Sequence, residues 1–262
     1  MKRNKLRNML KSNQPTLGTH IHSTWPSIVE IVGHTGMFDY VEFVAEYAPY
    51  DLYDFDNMAR AAELHDMSTM IKVDRANRTF TTQRAVGSGF ESVLFADCLS
   101  AKDATECLRA VWPDTPEHGG YTGAASRRVA YMSYGGGPEY VQILKDVVVV
   151  LMIEKKTAVE QLDEILALDG IDMIQWGGTD YSMNVGKAGA RSTPEIKAVE
   201  RKVLEKALKA GVAPRAEIGS VDQAKYYLDM GVRHFSIGTD TAIIFNWLKE
   251  KGEELREELS ST

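Results

Sequence analysis

The sequence predicts an α/β chain folded as a closed (β/α)8 barrel, and three observations predict it. Eight short apolar stretches alternate with helix-sized segments from end to end. Eight such units in 262 residues are the size of a closed barrel. The main alternative, an open doubly wound sheet, calls for a Gly-x-Gly-x-x-Gly after strand one, and this chain has His20-Ile-His22-Ser-Thr there. No low-complexity linker interrupts the alternation, so residues 1–262 are expected to form one barrel domain.

Taken in order, Thr16–His22 reads as strand one, followed by a helix over Ser27–His34 with Ser27 as its cap after Pro26. Tyr40–Glu46 is strand two and Tyr53–His65 its helix. Ser68–Val73 is strand three, and Phe80–Val86 starts a helix that the breaker Gly87-Ser-Gly89 ends. Ser92–Asp97 is strand four, with Ser100 capping a helix that runs to about Val111. From Trp112 to Gly137 glycine and proline accumulate, which predicts an inserted loop at about 112–138, a length usually reserved for function or for a partner. Pro138–Lys145 is a short helix feeding strand five, Val147–Glu154; a helix over Thr157–Leu168 then leads to strand six, Met173–Gly178. The strongest helix signal is Pro194–Ala210, where Ile196, Val199, Val203, Ala207 and Ala210 share a face between Pro194 at the first turn and Gly211 after the last. Ala213–Ile218 is strand seven, Ser220–Met230 a helix, His234–Thr239 strand eight, and Asp240 opens a terminal helix.

The charge balance narrows the function. A net charge of −7 argues against nucleic acid or an anionic membrane as partner, because both reward clustered positive charge. Cys98 and Cys107 are too few for a disulfide framework and suit a reducing cytosol. The basic start, Met1 to Arg7, lacks the apolar core of a signal peptide, and Val147–Ile153 is far too short for a membrane span. A cytoplasmic protein is expected.

In a barrel the chemistry collects at the C-terminal ends of the strands. His20 and His22, Glu46 and Tyr47, Lys72 and Arg75, Asp97, Glu154, Asp180, Glu217 and Asp240 fall there. Glu154 closes a run of seven apolar residues and shares a strand face with Val150 and Met152. Alone, it reads equally well as a rim carboxylate paired with Lys155 or Lys156. With Asp180 at the matching end of the next strand, the pair suits a hard divalent cation, Mg2+ or Mn2+, better than zinc. Gly177-Gly178-Thr179-Asp180 is either an ordinary turn or a stretch of bare backbone N–H groups holding a small carboxylate. Lys72, within Met70-Ile-Lys-Val73, is placed to point into the mouth and polarise a carbonyl oxygen. Lys155 and Lys156 offer a Schiff-base alternative, less favoured beside two carboxylates. His20 and His22 share a face as either a half-buried pair or a source of a base, and Arg127 and Arg128 are either solvated loop charges or a clamp for an anionic tail.

The segments Glu46-Tyr-Ala-Pro-Tyr-Asp51, Leu151-Met-Ile-Glu154 and Gly177-Gly-Thr-Asp-Tyr-Ser182, with Gly186 and Gly189 after it, resemble motifs of the HpcH/HpaI-type aldolases, the metal-dependent class II pyruvate aldolases. The resemblance runs from Gly18 to about Thr241. It implies a barrel of the phosphoenolpyruvate/pyruvate type, Glu154 and Asp180 as ligands of Mg2+ or Mn2+, and a 2-oxo acid held by backbone at Gly177, Gly178, Thr179 and Asp180. It also implies an aldehyde as second substrate and a hexamer, or trimer of dimers, in which the terminal helix packs across subunits. The chain departs from the family pattern where proton transfer occurs. Tyr47 stands where the family has its basic His, Val44 where the family's Asp orients that His, and Lys72 (or, as fallback, Arg75) where an Arg stabilises the enolate. Met152 and Gly178 replace a Gln and a Pro. A phenol of ordinary pKa near 10 does not replace imidazole as a base at neutral pH. The base is therefore expected to be His20, His22 or a metal-bound water, with Tyr47 as proton donor. Two readings follow: a metal-dependent aldehyde-lyase acting on 4-hydroxy-2-oxo acids, or a metal and 2-oxo acid binding protein without lyase activity.

Overall fold

Eight parallel strands close on themselves in sequence order. The computed structural model describes residues 4–126 and 135–261. Its strands are β1 (Thr16–Ile21), β2 (Tyr40–Val44), β3 (Ser68–Val73), β4 (Ser92–Phe95), β5 (Val148–Ile153), β6 (Met173–Trp176), β7 (Ala213–Ile218) and β8 (His234–Thr239). β8 pairs back onto β1, with Thr16 opposite His234 and Leu17 opposite Phe235. Because every pairing is parallel, all C-terminal strand ends open at one mouth.

Alternation along the strands makes two cores. On β5, Val149, Leu151 and Ile153 face outward into the layer between sheet and helices, while Val148, Val150 and Met152 face the barrel interior beside Tyr40, Met70, Leu94 and Met173. Each such buried aliphatic side chain contributes about 1.5–3 kcal/mol. The outer layer is completed by α2 (Pro26–His34), α3 (Leu52–Leu64), α4 (Arg78–Ser88), α5 (Ala101–Val111), α6 (Pro138–Lys145), α7 (Lys156–Glu160), α8 (Leu162–Leu166), α9 (Gly178–Asn184), α10 (Pro194–Ala210), α11 (Ala224–Leu228) and α12 (Asp240–Ser260).

Several boundaries differ from the sequence reading for local reasons. α2 starts at Pro26 with Trp25 as its N-cap, and Ser27 makes no cap bond. α4 runs through Gly87 and stops at Gly89, whose φ of +117° ends it in the left-handed region that glycine tolerates. Thr157–Leu168 splits into α7 and α8, and Ser220–Met230 into a 3-10 turn (Val221–Gln223) and α11. Strand six ends at Trp176, and the glycines after it start a helix instead of extending the strand. Ser100 does cap α5, accepting from the Asp103 N–H at 3.1 Å. Within the inserted loop Pro113 and Thr122 form an isolated bridge; Arg127 and Arg128 lie outside the described residues.

One element escaped the sequence reading. Helix α1 (Lys5–Lys11) closes the N-terminal floor of the barrel. Leu6 is fully buried among the interior side chains, Asn4 donates to the Glu91 and Asp146 carbonyls at 2.6 and 2.8 Å, and Arg7 reaches Asp172 and the Val147 carbonyl. At the other end of the chain α12 begins at the mouth, where the Asp240 carboxylate accepts from the His22 and Ser23 N–H groups at 2.9 Å each. Further along it, Ile243, Ile244, Phe245, Trp247 and Leu248 are exposed. Among the described residues no helix is long and apolar enough to cross a membrane.

Candidate active site

Glu154 follows Val148, Val150 and Met152 on the inward face of β5, so the barrel carries a carboxylate where an apolar side chain would otherwise sit. It is only 2% exposed. Its Oε1 accepts from the Asp97 N–H at 2.7 Å. Asp97 takes a φ of +57°, a conformation that costs a non-glycine residue about 1–2 kcal/mol. That turn at the end of β4 is what aims its N–H at Glu154. On the far side, a Cβ on Gly177 would lie 2.5 Å from Glu154 Oε2, so glycine is required by close approach. Burial pushes the Glu154 carboxyl up to about 7; Asp180 adds to the rise, and the Asp97 N–H, Lys72 and Lys155 only partly oppose it. The site thus holds a buried carboxylate with less positive charge around it than its ionised form needs.

Asp180 sits in the first turn of α9, which Gly177 caps, and its side chain is exposed at the mouth. The first N–H groups of a helix have no partner within it, so the amides of Gly178, Thr179 and Asp180 are available to an anion. Lys155 lies between the two loops, with its Nζ 2.6 Å from Asp97 Oδ1 and 4.0 Å from Asp180 Oδ1. Burial lowers the pKa of this amine, but Asp97 outweighs burial and the net shift is upward. Lys155 therefore stays charged, which is the wrong state for a Schiff-base nucleophile. Lys156 is exposed and 3.8 Å from Glu160.

Lys72 points into the mouth from β3, with its Nζ 2.5 Å from Glu46 Oε2 and 5.6 Å from the centroid of the Tyr47 ring. Burial works against its charge, yet Glu46 outweighs burial and raises its pKa. Arg75 lies exposed in the loop after β3. The Tyr47 phenol is exposed, and burial of part of it, with Glu217, Glu46 and Glu42 outweighing Lys72, raises its pKa. A raised pKa keeps the phenol protonated at neutral pH, so it meets a substrate as a proton donor and only its minor phenolate form is a base. His22 meets the Tyr47 ring edge-on at 5.3 Å and places its Nδ1 3.3 Å from Thr241 Oγ1.

His20 is one layer deeper, buried within a polar cluster that the sequence reading did not foresee. Its Nε2 is 3.3 Å from Glu42 Oε2 and 3.3 Å from Arg215 Nη2, and its Nδ1 is 3.4 Å from Glu217 Oε1. Glu42 and Arg215 are fully buried and ion-paired, and Arg215 also donates to Tyr40 Oη at 2.7 Å and to Gln175 Oε1. Burial opposes the ionisation of Glu42, but the Arg215 guanidinium and His20 hold its carboxyl far below the usual range. Burial likewise lowers the His20 pKa, and Glu42 and Glu217 outweigh it to leave a net rise. Gly18 makes room for this cluster: a Cβ there would lie 2.3 Å from the Tyr40 ring. The signal that was available is charge inside the strands, Glu42 alone within Tyr-Val-Glu-Phe-Val and Arg215 with Glu217 within Ala-Pro-Arg-Ala-Glu-Ile.

Glu154, Asp180, Gly177, Gly178, Thr179, Lys72 and Tyr47 therefore share one mouth, with His20 beneath. Among the described residues no cluster of three or more His, Cys, Asp or Glu side chains is built to hold a metal, so a cation here would rest on two carboxylates. Residues 17–246 match the profile of the HpcH/HpaI aldolase/citrate lyase family. The chain belongs to that family. It is a family of carbon–carbon lyases. Over 97% of its length the chain is 24% identical to the hydroxypyruvate/pyruvate aldolase of Paraburkholderia phytofirmans, covering 98% of that protein. It is 25% identical to the 4-hydroxy-2-oxo-heptane-1,7-dioate aldolase of Escherichia coli, covering 92% of this chain and 90% of that one. The fold superposes on the crystal structure of an HpcH/HpaI aldolase from Desulfitobacterium hafniense with a TM-score of 0.87, at 23% identity and 96% coverage of both chains. The expected family and barrel both stand.

Proposed function

We propose that the chain is a divalent-metal-dependent aldehyde-lyase that cleaves and forms 4-hydroxy-2-oxo acids through the enolate of pyruvate or a similar 2-oxo acid. The observation that carries this reading is Glu154, buried and under-compensated, against the Gly177 backbone that opens the helix bearing Asp180. The donor set fits the group. Two carboxylates with room for solvent at the mouth suit Mg2+ or Mn2+, which keep several waters, and lack the nitrogen or sulfur that zinc prefers. Glu154 and Asp180 would hold the cation, which when bound supplies Lewis-acid polarisation of the 2-oxo group.

The chain's own residues divide the remaining work. The amides of Gly178, Thr179 and Asp180, beside Gly177, orient the substrate carboxylate. Lys72 offsets the negative charge that develops on the enolate oxygen. Tyr47 donates a proton to the aldehyde oxygen as the carbon–carbon bond forms, and His20 supports proton transfer from the layer below. The exposed apolar residues of α12 (Ile243, Phe245, Trp247 and Leu248 among them) favour assembly across subunits, as a hexamer or trimer of dimers. We place this barrel enzyme in the cytoplasm, with small 2-oxo acids and aldehydes as its substrates.

Chelation should abolish pyruvate release from 4-hydroxy-2-oxo acids, and Mg2+ or Mn2+ should restore it. Full turnover in rigorously metal-free buffer contradicts the proposal. Tyr47 and Val44, standing where the family has its His base and that His's orienting Asp, support a second reading, a metal and 2-oxo acid binding protein without lyase activity. Deuterium exchange at pyruvate C3 separates the two. Stabilisation by oxalate or pyruvate without any exchange favours the binding protein.

A further inference from the structure

A connected path of ionisable groups runs beneath the mouth and reaches solvent at one point. It begins at the buried ion pair of Arg215 and Glu42, passes to His20 through the 3.3 Å approach to its Nε2, and leaves from its Nδ1 to Glu217 at 3.4 Å. The Glu217 side chain is half exposed. Both ring nitrogens of His20 already face protein atoms, so the imidazole does not reach a substrate in the mouth. Glu217 does. It lies on β7 beside β6, the strand whose end carries Gly177 to Asp180, and its Oε2 is held by Gln175 Nε2 at 3.0 Å. Burying an ion pair and a histidine together is costly, and apolar side chains would fill the same layer at less cost. The cluster is therefore better explained by the carboxylate it presents than by packing.

We propose that Glu217 is the base that removes the C3 proton of the 2-oxo acid, held in place by Gln175 and His20. This inference rests on reading the mouth as a site of enolate formation. The C3–H bond breaks and its proton passes to a Glu217 oxygen. The released pair forms the C2–C3 double bond, and the carbonyl pair moves onto the oxygen that Lys72 faces. In the synthetic direction C3 then bonds to the aldehyde carbon, and the new alkoxide takes its proton from Tyr47. In the cleavage direction Tyr47, as its phenolate, takes the proton of the C4 hydroxyl, the C3–C4 bond breaks to give aldehyde and enolate, and Glu217 returns a proton to C3. His20 acts through Glu217 and is a positioning residue.

The test follows loss of the pyruvate methyl signal in D2O by NMR, using the full chain with Mg2+, and compares wild type with Glu217→Gln, Glu217→Asp and His20→Gln. Glu217→Gln should slow exchange by at least about 100-fold while the pyruvate concentration for half-saturation stays within about threefold. His20→Gln should slow exchange at unchanged half-saturation, a split that a merely structural loss would not give. Should Glu217→Gln not fold, Glu217→Asp decides, because pulling the carboxylate back by one methylene should cost at least about tenfold. Exchange at the wild-type rate in the Glu217 variants overturns the inference and leaves the enolate reading intact. Absence of exchange in wild type that still binds oxalate removes both.

Discussion

At the floor of the barrel Arg7 donates to Asp172 Oδ2 at 2.7 Å and to the Val147 carbonyl at 2.8 Å, and Asp172 also accepts from the Val149 N–H at 2.8 Å. At the mouth Glu154 is more enclosed than Asp172, yet it accepts one backbone N–H and, among the described residues, its negative charge is offset only by Lys72 and Lys155. The floor pairs its acid with the adjacent Arg7 and ties both to strand ends, although burial still leaves the Asp172 pKa raised. The mouth leaves its acid short of positive charge and places a second carboxylate nearby. Charge at the floor serves stability, whereas charge at the mouth is kept for something that arrives from outside.

Three measurements bear on that contrast. The largest effect is expected for Glu154→Gln, which should lower C3 exchange and aldol turnover by at least about 1,000-fold. Its stability without metal should be equal or higher, because a neutral amide replaces an under-compensated buried carboxylate. Thermal melts beside the rate assay check both halves, and a strongly destabilised variant would erase the distinction between the two ends. The converse change is Arg7→Leu. It leaves Asp172 buried without its partner and should cost about 3–5 kcal/mol in urea unfolding, with turnover per folded molecule unchanged.

The smallest effect concerns His234, at the floor end of β8, where its Nδ1 is 3.0 Å from Thr16 Oγ1. Burial, with Arg233 adding to it, pushes the His234 pKa down from 6.5 to about 4. Between those values the unfolded chain binds the proton more readily than the folded one. The stabilising contribution is therefore full above pH 6.5 and is lost as pH falls towards 4. The loss amounts to at most about 3 kcal/mol. Unfolding free energies measured across that interval should fall, and His234→Gln should flatten the slope.

How far the sequence alone carries this account differs between the scaffold and the site. Pro194–Ala210 was legible because a proline start, a glycine stop and apolar residues at helical spacing agree on one helix, although its buried face is Ile196, Glu200, Val203, Leu204 and Ala207 and Ala210 is exposed. β3, β7 and β8 were legible to the residue because turn-forming residues bracket each of them. α1 was not, since a short basic segment shows its purpose only when Leu6 enters the interior and Arg7 finds Asp172, 165 residues away. At the mouth, Glu154 betrayed itself by ending an apolar run. Asp180 was located, but its element was not, because two glycines read as a turn and proved to open α9. The Glu42–His20–Arg215–Glu217 path was the least visible part. Its members come from β1, β2 and β7, and only barrel closure makes them neighbours.

Glu154 and Asp180 are proposed to share one divalent cation over the Gly177–Asp180 backbone. Anomalous diffraction from a crystal soaked with Mn2+ and oxalate tests it most directly. A manganese peak bound by both carboxylates is expected, with oxalate against the amides of Gly178 to Asp180. Manganese bound elsewhere in the barrel, with Glu154 and Asp180 free of it, would contradict the account.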